Sequence, residues 1–100
     1  MSIVSPNRYP YETVAASQTA QVLGGTGAVG DYLHRIVVTV TTAGSSTLTL
    51  LDGSTTVLTM AANTPIGVYS LEINAASASG PWKITTGAGL AVLAVGFFTA

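Results

Sequence analysis

From Tyr32 to Thr42 the chain reads Tyr-Leu-His-Arg-Ile-Val-Val-Thr-Val-Thr-Thr, and this alternation limits the fold more than any other feature. Tyr32, Ile36, Val38 and Val40 form an apolar face, while Arg35, Thr39 and Thr41 form a polar one. A period of two with dense β-branching marks a half-buried strand, because successive side chains point to opposite faces of a pleated sheet. The same parity puts His34, the only histidine, on the apolar face.

Similar runs recur along the chain. Thr47–Leu51 and Ser54–Met60 flank Asp52-Gly53, a strong hairpin signal that places both residues in a two-residue turn. Ile66–Asn74 turns Tyr69, Leu71 and Ile73 inward. In Trp82–Thr86, Trp82 and Ile84 share a face, as expected of core packing. Leu90–Phe98 is apolar on both faces, as a central strand or one buried at a subunit contact would be. Ala15–Leu23 is a weaker first strand. The pattern of about seven strands, with turns at roughly ten-residue spacing, predicts an all-β fold: an antiparallel, jelly-roll-like β-sandwich. Residues 13–100 form this domain. Residues 1–12, with Pro6 and Pro10 fixing extended geometry beside Tyr9 and Tyr11, form an extended N-terminal arm.

Gly25-Thr26-Gly27-Ala28-Val29-Gly30 matches the spacing of a dinucleotide-binding fingerprint, with Asp52 at about the distance of a ribose-binding acid. That motif works only where its glycines open a helix whose N-terminus receives the phosphate. Here they open a strand, and Asp52 belongs to a turn. The glycines therefore read as a loop between strands, and no cofactor is expected.

Other chemistry is equally thin. His34 has no G-x-S-x-G nucleophile beside it. Glu12, Asp31, Asp52 and Glu72 fall in separate turns and strands, so neither paired carboxylates nor an enzyme is expected. Asp31 beside Gly30 reads as turn chemistry, and a calcium site at Asp31 or Asp52 is the weaker alternative. There is no cysteine, and no metal site is expected. Three scattered cations, Arg8, Arg35 and Lys83, cannot neutralise a phosphate backbone, which excludes nucleic acid as a partner. No basic region followed by an apolar stretch opens the chain, and Leu90–Phe98 is too short to span a bilayer as a helix. The expectation is synthesis in the cytoplasm and no membrane partner.

Charge is the unusual quantity. Seven charged residues give a net charge of -1 with a mean hydropathy of +0.55. A monomer of this mass exposes roughly 5,300 Å², whereas surfaces that stay soluble alone are about 25–35% charged residues. Either the 15 Thr and 9 Ser wet the surface, or other subunits cover much of it. The hydropathy favours cover.

Four segments share an order and spacing with a known class. They are Gly30-Asp31-Tyr32-Leu33, the Asp52-Gly53 turn, the stretch Ser79–Gly87 containing Pro81-Trp82-Lys83-Ile84, and the ending Ala94-Val95-Gly96-Phe97-Phe98-Thr99. Together, over roughly residues 24–99, they resemble small virion proteins of tailed bacteriophages, of the head decoration (cement) type. The resemblance implies a β-sandwich subunit, commonly a homotrimer, that sits on the outer capsid surface and stabilises it. Its partners would be the major capsid protein and further copies of itself. On that basis Tyr9 and Tyr11 are the expected capsid contacts, and Val95, Phe97 and Phe98 the expected subunit contacts. The alternative is a carbohydrate- or receptor-binding module of a head fibre or tail, with Trp82 and the tyrosines as stacking candidates.

Overall fold

The hairpin at Asp52-Gly53 is the midpoint of the whole fold. In the computed structural model, which describes residues 10–100, the strands are β1 (Tyr11–Val14), β2 (Gln21–Val22), β3 (Tyr32–Val40), β4 (Leu48–Asp52), β5 (Thr55–Met60), β6 (Gly67–Ala76), β7 (Trp82–Thr86) and β8 (Leu90–Phe97). Antiparallel pairs nest outward from the hairpin: β4 with β5, β3 with β6, β2 with β7, β1 with β8. This long folded hairpin wraps into two four-stranded sheets, ordered β1-β8-β3-β6 and β2-β7-β4-β5. That nesting is the jelly-roll arrangement of a β-sandwich. Tyr9 lies outside the described residues.

The core lies between the sheets. Ile36, Val38 and Val40 of β3 and Val92 and Ala94 of β8 meet Leu48 and Leu50 of β4 and Trp82 and Ile84 of β7, all essentially inaccessible. The inward positions are the ones alternation assigns to each strand, with one correction. A register shift between Leu33 and Arg35 adds a residue to β3 relative to β8. Such a bulge reverses the parity of everything before it. Leu33 is therefore the buried residue, and Tyr32 and His34 turn to the outer face, where their rings meet edge-on at 6.4 Å. The expected apolar-face positions of Tyr32 and His34 are both overturned by that single residue.

Two further expectations shift. Ala15–Leu23 is not one strand: Ser17 and Ala20 take positive φ, and only Gln21–Val22 pairs. β1, which starts inside the expected arm, precedes it, so the described residues hold eight strands where about seven are expected. The hairpin turn also moves by one residue. Asp52 pairs with Thr55, leaving Gly53 and Ser54 as the loop, with Gly53 at φ 61. Glycine at the first loop position, with positive φ there and not at Ser54, is the second of the two favoured hairpin turns.

The glycine loop is folded tightly. Gly27 sits at φ 66 against Pro81 and donates its N–H to the Thr99 carbonyl at 2.9 Å. Gly24 donates to Glu12 Oε1 at 2.8 Å, and a Cβ there would lie 2.5 Å from the Thr99 carbonyl oxygen. These glycines bring the loop, the C-terminus and the 77–82 turn together. Their role is mechanical, and no helix follows them.

Candidate interaction face

The two sheets present different outer surfaces. On the second sheet the outward positions mix threonine with apolar residues: Thr49 and Leu51 of β4, Thr56 and Thr59 of β5, Thr85 beside Lys83 on β7, and Val22 of β2. On the first sheet the outward positions of β8 are apolar, and β1 adds Tyr11 beside Thr13. Tyr11 is 67% exposed and Phe97 53%; Val95 lies beside Tyr11, and Leu93 follows it on the side away from Phe97. Exposed apolar and hydroxyl side chains occur on both sheets, with the larger exposed apolar side chains Tyr11 and Phe97 on the first.

Register builds this face row by row. Tyr11 pairs with Val95, which pairs in turn with Arg35 and then Glu72. Thr13, Leu93, Val37 and Ser70 make the next row, and Ala91, Thr39 and Val68 the one after. Four strands about 4.8 Å apart and about eight residues long cover roughly 500 Å² of flat area. Thr13, Thr39, Ser70, Arg35 and Glu72 make part of that area polar, so the apolar patch along β1 and β8 is smaller than the whole face. Its charge is confined to the Arg35–Glu72 register pair, where the face grows polar toward β6. A shallow depression of about 390 Å³ lies on it, walled by Thr13, Ala15, Val37, Thr39, Ala91 and Leu93 among others.

Residues assigned to two different partners thereby meet. Tyr11, expected to touch a capsid, and Val95, expected to touch a sister subunit, are register neighbours. Phe97 continues the same face past Tyr32. Phe98 departs from it and packs on the core. Leu93 and Val37 were missed by the sequence reading. The signal for Val37 is present, since it interrupts the polar series Arg35, Thr39, Thr41.

At the end of this face Tyr32, Phe97, Phe98, Pro10 and Asp31 wall a cleft of about 380 Å³. Tyr32 donates its hydroxyl to Asn74 Oδ1 at 3.0 Å, and Arg35 Nε donates to His34 Nδ1 at 3.3 Å. Asp31 is buried, and its carboxylate works inside the fold. It accepts from Ala28 N and Thr99 N through Oδ2 and from Thr99 Oγ1 through Oδ1, at 2.7–3.0 Å. Burial resists its charge, but the Thr99 and Ala28 hydrogen bonds outweigh that and hold the carboxyl below its ordinary value of 3.8. Asp52 is used similarly, accepting from Ala78 N and Ser79 N at 2.9 and 3.1 Å. Both aspartates, the weaker calcium candidates, serve as loop anchors. Among the described residues no three His, Cys, Asp or Glu side chains gather as a metal-ligand set. Trp82 is enclosed and donates its indole N–H to the Asp31 carbonyl at 2.8 Å, so it is unavailable for stacking on a sugar.

No family model, curated protein or solved structure matches this chain.

Proposed function

We propose that the protein is a structural component of a bacteriophage virion. It decorates and stabilises the outer capsid surface as a homotrimer, docking through the apolar outer face of β1 and β8. The observation that carries this reading is that face: nearly uncharged, built on rigid paired strands, and centred on Tyr11, Val95, Leu93 and Phe97. The jelly roll itself is a common scaffold of capsid and lectin domains, which is support by analogy only. The mechanism is linkage. A ligand that binds the assembled lattice and not its dissociated subunits stabilises the lattice by mass action. The partner is the major capsid protein, and no nucleic acid or membrane takes part.

The test is cosedimentation with emptied shells of the parent phage, set against unassembled capsid protein. Wild type is expected to pellet with shells alone. Leu93→Lys with Val95→Lys, both on outward positions, is expected to weaken shell binding about 30-fold at unchanged far-UV CD, since two apolar anchors at about 1 kcal/mol each are replaced by buried charge. Equal binding by wild type and variant removes the face from the reading.

One observation favours a second reading, a carbohydrate- or receptor-binding module of a head fibre or tail. The cleft beside Asp31 has three aromatic walls, Tyr32, Phe97 and Phe98. Selective retention on a glycan array, abolished by Phe97→Ala, is the result that would put this reading first.

A further inference from the structure

The two sides of the sandwich are closed to different degrees. On one side the edge strands β1 and β2 are short, and the chain laces across them. Ser17 N donates to the Gly87 carbonyl, Gln18 N to Thr86 Oγ1, Ala20 N to Thr85 Oγ1 and Gln21 Nε2 to the Thr13 carbonyl. Val14 and Leu23 beneath are fully buried. On the other side the edge strands are β5 and β6, which the sheet orders place opposite each other. There the inward side chains Leu58, Met60, Tyr69, Leu71 and Ile73 reach the core but stay half exposed. The rim adds Val57, Ile66 and Val68, at 47%, 69% and 67% exposure.

An uncovered edge of this kind is a liability that folds normally blunt with charge, proline, bulges or short strands. β6 is ten residues long, and its Glu72 and the positive-φ Asn74 lie toward its far end. From Gly53 to Leu71 the chain carries no charge at all. Among the described residues the inward side chains of this side are only partly covered, and its edge strands are broken by one bulge each, at Val57 and at Ile73–Asn74, with no charge before Glu72.

We infer that a second copy of this chain covers the open side, so that the copy–copy contact of the oligomer is made by β5 and β6. The inference rests on the homo-oligomer of the proposed function, and it moves the subunit contact away from Val95, Phe97 and Phe98. Two arguments select a copy over a different partner. The first is area. Sheets about 10 Å apart, with one strand width of about 4.8 Å on each side and about 33 Å of β6, give roughly 650 Å² per copy. A standard stable interface takes about 800 Å² per partner. The second is charge. An uncharged seam matches a partner that brings no ion to be stranded, and an identical seam does that by construction. At a net charge of -1, copies also repel one another little. In a trimer the three open sides converge on the axis, which leaves each β1–β8 face outward for docking.

The test is sedimentation equilibrium and native mass spectrometry of the full chain from about 1 to about 100 µM. Three proteins are compared: wild type, Val57→Lys with Ile66→Lys, and Val95→Lys. The changed residues are exposed or half exposed, and unchanged far-UV CD confirms that each variant folds. Wild type is expected to be oligomeric, the Val57/Ile66 variant to dissociate about 30-fold more readily, and Val95→Lys to remain assembled. A wild type that is monomeric throughout overturns the inference, as does dissociation that follows Val95→Lys instead. Shell cosedimentation separates the two proposals. A seam variant that is monomeric yet still binds shells supports this contact and leaves decoration standing. An assembled wild type that ignores shells, with a seam variant that falls apart, supports this contact and removes decoration.

Discussion

Replacing Trp82 with alanine is expected to leave the protein largely unfolded at 37 °C. Trp82 is 2% exposed, stands on β7 in register with Asp52 of β4, and closes the end of the core where three loops meet. Its carbonyl accepts from Leu23 N at 2.9 Å, and its indole N–H reaches the Asp31 carbonyl at 2.8 Å. Emptying a site of this size costs about 3–5 kcal/mol, and losing the indole partner adds about 1 kcal/mol. A chain of this length has about 5–15 kcal/mol in all, and each kcal/mol moves its midpoint by about 4–8 °C. The midpoint should therefore fall by about 20 °C or more. Trp82→Phe separates the two contributions: the ring mostly fills the site but cannot donate, so the loss should be about 2 kcal/mol. Calorimetry and far-UV CD measure both, since the only tryptophan, and with it most of the fluorescence, is removed. An alanine variant that melts within a few degrees of wild type contradicts this account of the core.

That Trp82 faces inward was readable from its alternation with Ile84, and so was most of the sandwich. Period-two runs bounded by glycine and aspartate report which face is buried without reference to any neighbour. What escaped depends on pairing. The bulge at Leu33–Arg35 changes no residue type, so parity counted from Ile36 backward misplaced His34 and Tyr32. Ala15–Leu23 has strand-compatible side chains, but Ser17 and Ala20 bend it through positive φ to bond β7. Asp52 was read as a turn residue because Asp-Gly so often is one; here the ladder runs one residue further, and its carboxylate captures Ala78 and Ser79. The exposed apolar surfaces were only half legible. Val95 and Phe97 followed from the two-faced last strand. The open side did not follow, because the half-burial of Leu58, Tyr69 and Leu71 is a property of two edge strands lying opposite each other. Its one sequence trace is the absence of charge between Asp52 and Glu72.

Asp31→Asn is expected to cost about 3 kcal/mol at pH 7 and less in acid. The carboxylate holds the C-terminal segment to the glycine loop through three hydrogen bonds, and bonds to a charged acceptor contribute about 1.5–3 kcal/mol each before exposure at Thr99 reduces them. An amide in the same place offers one acceptor and turns two donors toward N–H groups that are themselves donors. The pH dependence follows from the direction of the shift. Asp31 titrates lower in the folded chain than its ordinary 3.8, so the folded state favours the ionised form. Its contribution is complete above that value and is lost as pH falls through the folded-state titration. The gap in urea midpoint between wild type and Asp31→Asn should therefore narrow as pH falls from 7 through the acid range. A gap that persists unchanged in acid means that shape rather than charge holds the segment. The clasp also bears on the docking face. Thr99 is two residues beyond Phe97, so opening it in acid should fray the end of β8 and loosen the Tyr32–Phe97 end of that face before the sandwich unfolds. Amide exchange at Thr99 and Gly27 that accelerates ahead of exchange in β3 on acidification is the signature of that order.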